Sequence, residues 1–348
     1  LGKAISAYTL LVFAPRADGQ IILKPTNYPS EASFFIEEIG VPDFSDWSRY
    51  ARGAAKVLNK HTPLQQGLTG LVSGTLPGSG LSSSASVGLA YLRALAAVNE
   101  LELSNREYVE LDRQLENDYL GLNNGIQDQS AIVNGERDKL MHLHTLTRVV
   151  DQIEDGSIMD GVSCLIVYSG FSRELTSTGF NDRVGECRQA ANMMGMMIDQ
   201  EAHVLSDIPA DAFDALKNEL PDHIQRRAAH YYSEVERVQL GREAWAAGDT
   251  VRFGELMNES CESSIHQYQS GSEPIIALQE IVSSAPGIYG SRFGGGGYGG
   301  CVIGFVRTEA AEDAYRQIRR RYASRYPDAA QRAGYYIAQF ENGLRIIH

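Results

Sequence analysis

The stretch from Leu76 to Ser86, L-P-G-S-G-L-S-S-S-A-S, constrains this 348-residue chain more than any other, because it runs straight into the helix-forming sequence Val87 to Leu95. Gly78 and Gly80 let a backbone approach a ligand closely. The N–H groups that open a helix lie at the positive end of its dipole, where anions are favoured. Ser82, Ser83 and Ser84 are poor residues inside a helix but good caps, and their hydroxyls can face a metal ion. Two readings follow: an ordinary N-cap, or a cradle for the phosphates of a nucleoside triphosphate. Each exposed N–H or dipole contact contributes about 0.3–1 kcal/mol, so a phosphate site needs several to converge. No Gly-Lys-Ser/Thr follows the glycines, which excludes a Walker loop.

Composition narrows the partners. A hydrophobic content of 43% and a charged content of 22% are those of a globular protein, and the length suits two domains with separate cores. No apolar run approaches the ~20 residues needed to span a bilayer, so a cytoplasmic protein without a membrane partner is expected. The net charge of −13 repels a phosphate backbone, and the basic cluster Arg316 to Arg325 lies beside Glu309, Glu312 and Asp313. Nucleic acid is not expected as a partner, and a monomer or homodimer is. Cys164, Cys187, Cys261 and Cys301 are widely spaced with no C-x-x-C pair, which suggests neither a zinc site nor a disulfide framework. The chain opens on a strand-like run without a turn or cap before it, so a preceding segment is expected.

Strand patterns at 6–14, 20–23 and 67–73 surround a helical pattern at 47–56, and the serine loop leads into a helix ending near Asn99. Ser104 and Glu107 form an S-x-x-E capping box, after which Tyr108, Leu111, Leu115 and Tyr119 make one apolar stripe, so a helix is predicted over 105–120. Gly121 and Asn123-Asn124-Gly125 stop it, and a short helix from about Ile126 places Asp128 in a first turn, where negative charge is favoured. Strands are predicted at 140–143 and 162–168, with the polar stretch 152–160 between them and a domain boundary at 158. The second half reads as helices at 183–203, 210–216, 223–247, 250–259 and 273–283. A strand at 301–306, a helix at 309–326 and a strand at 335–340 follow. Helices laid against antiparallel sheet make the class α+β.

Phosphoryl transfer needs a cradle for the phosphates, a divalent cation on their oxygens and a group that orients the acceptor hydroxyl. Magnesium takes oxygen ligands and keeps several waters, so one carboxylate and one hydroxyl would suffice; Glu116 and Ser84 are the candidates. The ordinary alternative for Glu116 is a solvated charge paired with Arg113 one turn away. Asp128 is the candidate base, and its alternative is a first-turn acid that only offsets the dipole. The second glycine cluster, G-S-R-F-G-G-G-G-Y-G-G-C at 290–301, precedes a strand, whereas a dinucleotide fingerprint follows one. Its glycines, Gly295 and Gly296 among them, suit a backbone lying against a ligand or another loop.

Taken in order and spacing, the motifs at 76–86, E-N-D-Y-L-G-L-N-N-G-I-Q-D-Q at 116–129 and the cluster at 290–301 resemble those of the GHMP small-molecule kinases, specifically the galactokinase family. R-V-G-E-C-R-Q-A at 183–190, A-H-Y-Y-S-E-V-E-R-V at 229–238 and F-G-E-L-M-N-E-S at 253–260 extend the resemblance over nearly the whole chain. It implies a two-domain GHMP kinase fold, with an N-terminal ribosomal-protein-S5-domain-2-like domain over 1–158 and a C-terminal ferredoxin-like α/β sandwich over 159–348. It further implies ATP held by Gly78, Ser79, Gly80, Leu81, Ser82, Ser83 and Ser84, Mg2+ on Ser84 and Glu116, and Asp128 as the base facing the sugar's anomeric hydroxyl. Trp47 and Tyr50 match a family segment near the adenine, their alternative being helix packing, and Gly295 and Gly296 fall on the substrate side.

Two departures stand out. The family's first motif, which supplies an Arg and acidic or His/Asp residues to the sugar, has no counterpart here. Where galactokinases commonly place a sugar-binding Tyr, this chain has Phe180, removing a polar contact worth about 1 kcal/mol net. Y-A-R-G-A at 50–54, V-G-L-A-Y-L at 87–92, G-R-E-A-W-A-A-G at 241–248 and A-P-G-I-Y-G-S-R-F at 285–293 resemble the galacturonate-phosphorylating branch. That resemblance implies D-galacturonate as substrate, with galactose as the alternative and a non-catalytic sugar sensor as a further one. A uronate needs a cation or N–H groups for its carboxylate, and Arg173 and Arg292 are the candidates.

Overall fold

The computed structural model describes residues 1–27, 29–75, 81, 83–122, 124–158, 161–171 and 179–347, with the Phe180 side chain outside the described set. The chain divides into two compact units. One is formed by Leu1–Gly78, Ser82–Glu154 and Gln339–His348, the other by Ser79–Leu81 and Asp155–Ala338.

The first unit is a sheet with helices on one face. Strands β1 (Thr9–Arg16), β2 (Gln20–Pro25), β3 (Ala32–Phe35) and β4 (Gly67–Gly74) line up in the order β1-β4-β2-β3, with β2 and β4 parallel and the other pairs antiparallel. Alternation does the sorting. Ile21 and Leu23 on β2 and Leu68 and Val72 on β4 point into the core, two and four residues apart as the pleat's even spacing requires. Against them pack α1 (Arg49–His61) and α2 (Ser83–Val98). Helix α2 buries Leu89, Leu92, Leu95 and also Ala85, Ala94 and Ala96, so it is apolar almost all round and runs through the middle of the unit. Helices α3 (Asn105–Gln114) and α4 (Gln127–Val133) and the hairpin β5 (Lys139–His144) and β6 (Val149–Glu154) complete it.

Strand β6 falls partly in the polar stretch that the sequence suggested as a linker; its V-V-D-Q-I-E alternates around charged positions, which hides a half-exposed strand. The segment after residue 338, counted in the expected 159–348 domain, is bound to the first unit by backbone bonds. Ser6 N donates to Gln339 O at 2.8 Å, Glu341 N to Ala4 O at 3.1 Å and Leu344 N to Ile132 O at 2.8 Å.

The second unit carries an antiparallel sheet made of β7 (Val162–Tyr168), β8 (Ile288–Phe293), β9 (Cys301–Arg307) and β10 (Gly334–Ala338), in the order β10-β7-β9-β8. Its helices are α5 (Gly179–Met197), α6 (Ala210–Leu216), α7 (Asp222–Ala246), α8 (Thr250–His266), α9 (Glu273–Ser283), α10 (Ala311–Arg325) and α11 (Pro327–Ala330). Leu278 and Val282 of α9 and Ile318 and Tyr322 of α10 close over Leu165, Val167, Val302 and Val306 of the sheet. A second cluster joins Ala190 and Met194 of α5 to Phe213 of α6 and Ile224 and Ala228 of α7.

Helix α8 lies directly on β8, backbone to backbone. A Cβ built on Gly290 would sit 1.9 Å from Gly254 O, and neither partner has a side chain that could swing aside. Gly290→Ala is therefore expected to force α8 off the strand and destabilise the protein by about 1–3 kcal/mol, the range of an overpacked core. The midpoint of denaturant unfolding measures it, and a variant as stable as the parent would mean that the two backbones are farther apart.

Candidate active site

The site in the first unit is built at the end of α3. Ser104 caps that helix: its hydroxyl accepts from Glu107 N, and the Glu107 carboxylate accepts from Ser104 N at 2.7 Å. Such a cap typically contributes about 1 kcal/mol. The predicted helix over 105–120 does not stay α to its end. Residues Leu115–Tyr119 form a π-helical turn, closed by Leu120 N donating to Leu115 O at 3.0 Å. The apolar stripe of Leu111, Leu115 and Tyr119 fits either winding, so the pattern alone could not tell them apart.

The π turn carries Glu116 into the interior. Its carboxylate is 2% exposed, and Oε2 accepts from Gln129 Nε2 at 2.9 Å and from Asn124 Nδ2 at 3.1 Å. Oε1 is buried and receives no hydrogen bond from the described residues. The ordinary reading of Glu116 as the partner of Arg113 fails, because Arg113 bonds Glu110 instead. Arg113 first, then Gln114 and Arg148, pull the Glu110 carboxyl down to about 2.

Asp112, one helical turn before Glu116, is fully buried beside it. Burial first, then the neighbouring charges of Glu116 and Asp128, push its carboxyl far above the ordinary range, and the nearby Gln129 amide offsets only part of this. Burial therefore favours the protonated form of Asp112. Room for it is made by Gly88 of α2, where a Cβ would lie 2.2 Å from Asp112 Oδ1.

Tyr50 of α1 ties the mouth of α2 to this pocket. Its hydroxyl lies near Ser84; burial raises its pKa, and Glu116 and Asp112 raise it further while Arg49 and Ser84 offset them. Ser83 and Ser84, at the start of α2, are half-buried. Tyr50, Ser84 and Glu116 thus share one neighbourhood. Trp47 precedes α1 and packs partly buried against the core of the unit. Asp128 sits exposed in the first turn of α4, with Gln129 beside it turned inward. Leu81 is half-buried, while Gly78, Ser79, Gly80 and Ser82 lie outside the described residues. Sequence reasoning passed over Asp112, Asn124 and Gln129. The signal for Asp112 was present as two acids at i and i+4 on one helix, a repulsive spacing that calls for a reason.

In the second unit the glycine cluster is the connection between β8 and β9. It lies against neighbouring loops: Ser272 N donates to Gly297 O at 2.9 Å, Gly300 N to Phe171 O at 3.1 Å, and Gly294 N to Cys301 O at 2.8 Å. Gly295 and Gly296 are exposed at its tip. Helix α5 begins at Gly179, four residues earlier than the sequence pattern gave, and so includes Phe180. Arg183 on that helix bonds Glu186, which also accepts from the buried Arg227 at 2.5 Å. Arg227 further donates to Gln267 O at 2.5 Å and to Gln269 Oε1 at 2.7 Å. Arg292 donates to Ser260 Oγ at 2.7 Å and lies 4.0 Å from Glu234, so an acid already stands near this candidate for a substrate carboxylate. Arg173, the other candidate, lies outside the described residues.

The buried acid has a measurable consequence. Above the ordinary Asp value of 3.8 the unfolded chain releases the Asp112 proton while the folded chain keeps it. Stability then falls as pH rises, by about 1.4 kcal/mol per pH unit from this group, up to its raised folded value. Asp112→Asn removes the slope. The stability difference between variant and parent should move in the variant's favour with rising pH, read from denaturant midpoints over a pH series, and a constant difference would mean that Asp112 is ionised in the fold.

The chain matches the family described as GHMP kinases N terminal domain over residues 49–136, the span that holds Tyr50, Ser84, Asp112, Glu116 and Asp128, and the family described as GHMP kinases C terminal over 242–324. A galacturonokinase of Arabidopsis thaliana is 38% identical across 94% of this chain and 84% of its own length. A galactokinase of Levilactobacillus brevis is 30% identical across 98% of this chain and 87% of its own. Among solved structures, that of Lactococcus lactis galactokinase complexed with galactose superposes with a TM-score of 0.86 at 28% identity, covering 97% of this chain and 87% of that one. Among the described residues no helix is long and apolar enough to cross a membrane. The chain belongs to the GHMP kinase family, has its two-domain fold, and is a sugar kinase with ATP as a substrate.

Proposed function

We propose that this protein transfers the γ-phosphoryl group of ATP to the anomeric hydroxyl of D-galacturonate, giving galacturonate 1-phosphate and ADP. The observation that carries the reading is Glu116: a buried carboxylate with one oxygen fixed by two side-chain amides and the other receiving no hydrogen bond from the described residues, in the same neighbourhood as the Ser84 hydroxyl. An oxygen pair of this kind fits Mg2+, which would be held by Glu116 and Ser84 and would neutralise charge on the phosphate oxygens. The galacturonokinase relative supplies the acceptor in this proposal.

Each residue then has a task. The chain from Gly78 to Ser84 wraps the phosphates with backbone N–H groups and hydroxyls, and Trp47 and Tyr50 border the nucleotide. Asp128, in a first helical turn, accepts the hydrogen bond of the anomeric hydroxyl and aligns its oxygen with the γ-phosphorus. As the new P–O bond forms, the bond to the β-phosphate oxygen breaks, the proton passes to the Asp128 carboxylate and ADP leaves. Phe180, Gly295 and Gly296 border the sugar. The nucleotide side of the site belongs to the first unit, and the enzyme is cytoplasmic.

The test is ADP release with a panel of free sugars and uronates, the product's phosphate position being read by NMR. Release with galacturonate well above that with galactose is expected; release with galactose alone would make the protein a galactokinase, and none with any sugar or uronate would sink the kinase reading.

Two substitutions separate the roles. Asp128→Asn is expected to lower kcat by about 10²–10⁴-fold with little change in the KM for ATP, the size of a lost acid–base group; a kcat within about threefold of the parent is too small for that role. Glu116→Gln is expected to raise the Mg2+ concentration needed for half-maximal rate, and an unchanged Mg2+ dependence would remove Glu116 from the metal.

A further inference from the structure

The hairpin of β5 and β6 carries a second cluster of donor atoms that the kinase reaction does not use. His142 and Asp151 face each other across the ladder, and His144, two residues along the same strand, shares their face. Both imidazoles aim a nitrogen at one carboxylate oxygen: His144 Nε2 lies 2.9 Å and His142 Nδ1 3.5 Å from Asp151 Oδ2. One donor atom from each residue falls within 4.8 Å of the other two. Among the described residues this is the one trio of His, Cys, Asp or Glu so arranged.

We infer that His142, His144 and Asp151 form a binding site for a divalent ion of the zinc type. Four donors at 2.0–2.1 Å around tetrahedral zinc stand about 3.3 Å from one another. The two His–Asp separations bracket that value, so little movement is needed to close the trio on an ion. Two imidazoles and one carboxylate suit zinc, cobalt or nickel and not the all-oxygen coordination of magnesium or calcium. The His144 tautomer with its proton on Nδ1 leaves Nε2 open to an ion.

The cluster is also placed for entry and held for geometry. The His142 side chain is 11% exposed, while His144 and Asp151 are each 43% exposed, so the trio is anchored at one end and open to water at the other, where solvent fills the fourth position. The hairpin is fixed beneath it. Met141 exchanges backbone hydrogen bonds with Gly2 at 2.8 and 3.0 Å, and Lys139 pairs with Glu136 and Glu154 across the far end of the ladder. Gln152 Nε2 donates to Asn134 O at the end of α4, so an ion on this hairpin braces the strand pair next to the helix that carries Asp128.

The experiment uses untagged full-length protein stripped with chelator and titrated with Co2+ followed by Zn2+. One equivalent of cobalt with ligand-field absorption of a four-coordinate site is expected, bleached by one equivalent of zinc. His144→Ala and Asp151→Asn, both at exposed positions and checked for an unchanged circular dichroism spectrum, should each weaken binding by more than the 10–100-fold typical of second-shell changes. Glu116→Gln is expected to leave the stoichiometry untouched, which separates this site from the proposed magnesium site. No cobalt absorption at equimolar metal, or titrations that coincide for the parent and His144→Ala, would overturn the inference and leave the trio as an ordinary imidazole–carboxylate contact.

Discussion

Two carboxyl groups one helical turn apart, both shut away from water, set the terms for everything around them. A pair of buried charges of like sign is too costly to keep, and the fold resolves it by making Asp112 an acid and fastening Glu116 with amides from Asn124 and Gln129. The supports come from four places: the π turn that swings Glu116 inward, Gly88 that opens a slot in α2, Gln129 on the inner face of α4, and Tyr50 on α1. None of these can be altered alone. A residue that must satisfy Glu116 on one side and make space for Asp112 on the other has few acceptable replacements.

Much of the fold was legible because local signals agreed with one another. The capping box at Ser104, the stop at Gly121 and the restart that puts Asp128 in a first turn are all chemical punctuation, and the helices and strands they delimit fall where the punctuation places them. Three strands were not legible. Ala32–Phe35 is too short to show a period, Val149–Glu154 alternates around acids that read as a linker, and Ile288–Phe293 contains Gly290 and Arg292, which break an apolar pattern. Family motifs carried what periodicity could not, namely the choice of Glu116 and Asp128 from among 44 acidic residues. The partners of Glu116 were invisible to both routes, since asparagine and glutamine announce nothing until the fold brings them to a buried oxygen.

The second glycine cluster illustrates a different balance. Its composition suggests slack chain, yet the β8–β9 connection is stitched at both sides, to Ser272 and to Phe171. Glycine here permits positive φ at Gly295, Gly297, Gly299 and Gly300 and brings the tip of the connection out with no side chain in the way. A surface with no side chains offers a ligand only main-chain amides and carbonyls, which suits recognition of hydroxyls more than of an aromatic or aliphatic group.

The segment after residue 338 belongs to the first unit, although nearly all of the second unit intervenes in the chain. Order of synthesis then differs from order of assembly. When a ribosome has released the residues up to Glu154, that unit still lacks the piece that bonds to Ala4, Ser6 and Ile132, and it must wait through nearly two hundred further residues before its last contacts can form. At about 5–20 residues per second the delay is on the order of ten seconds or more, a window in which the half-made unit is the species that chaperones and proteases meet.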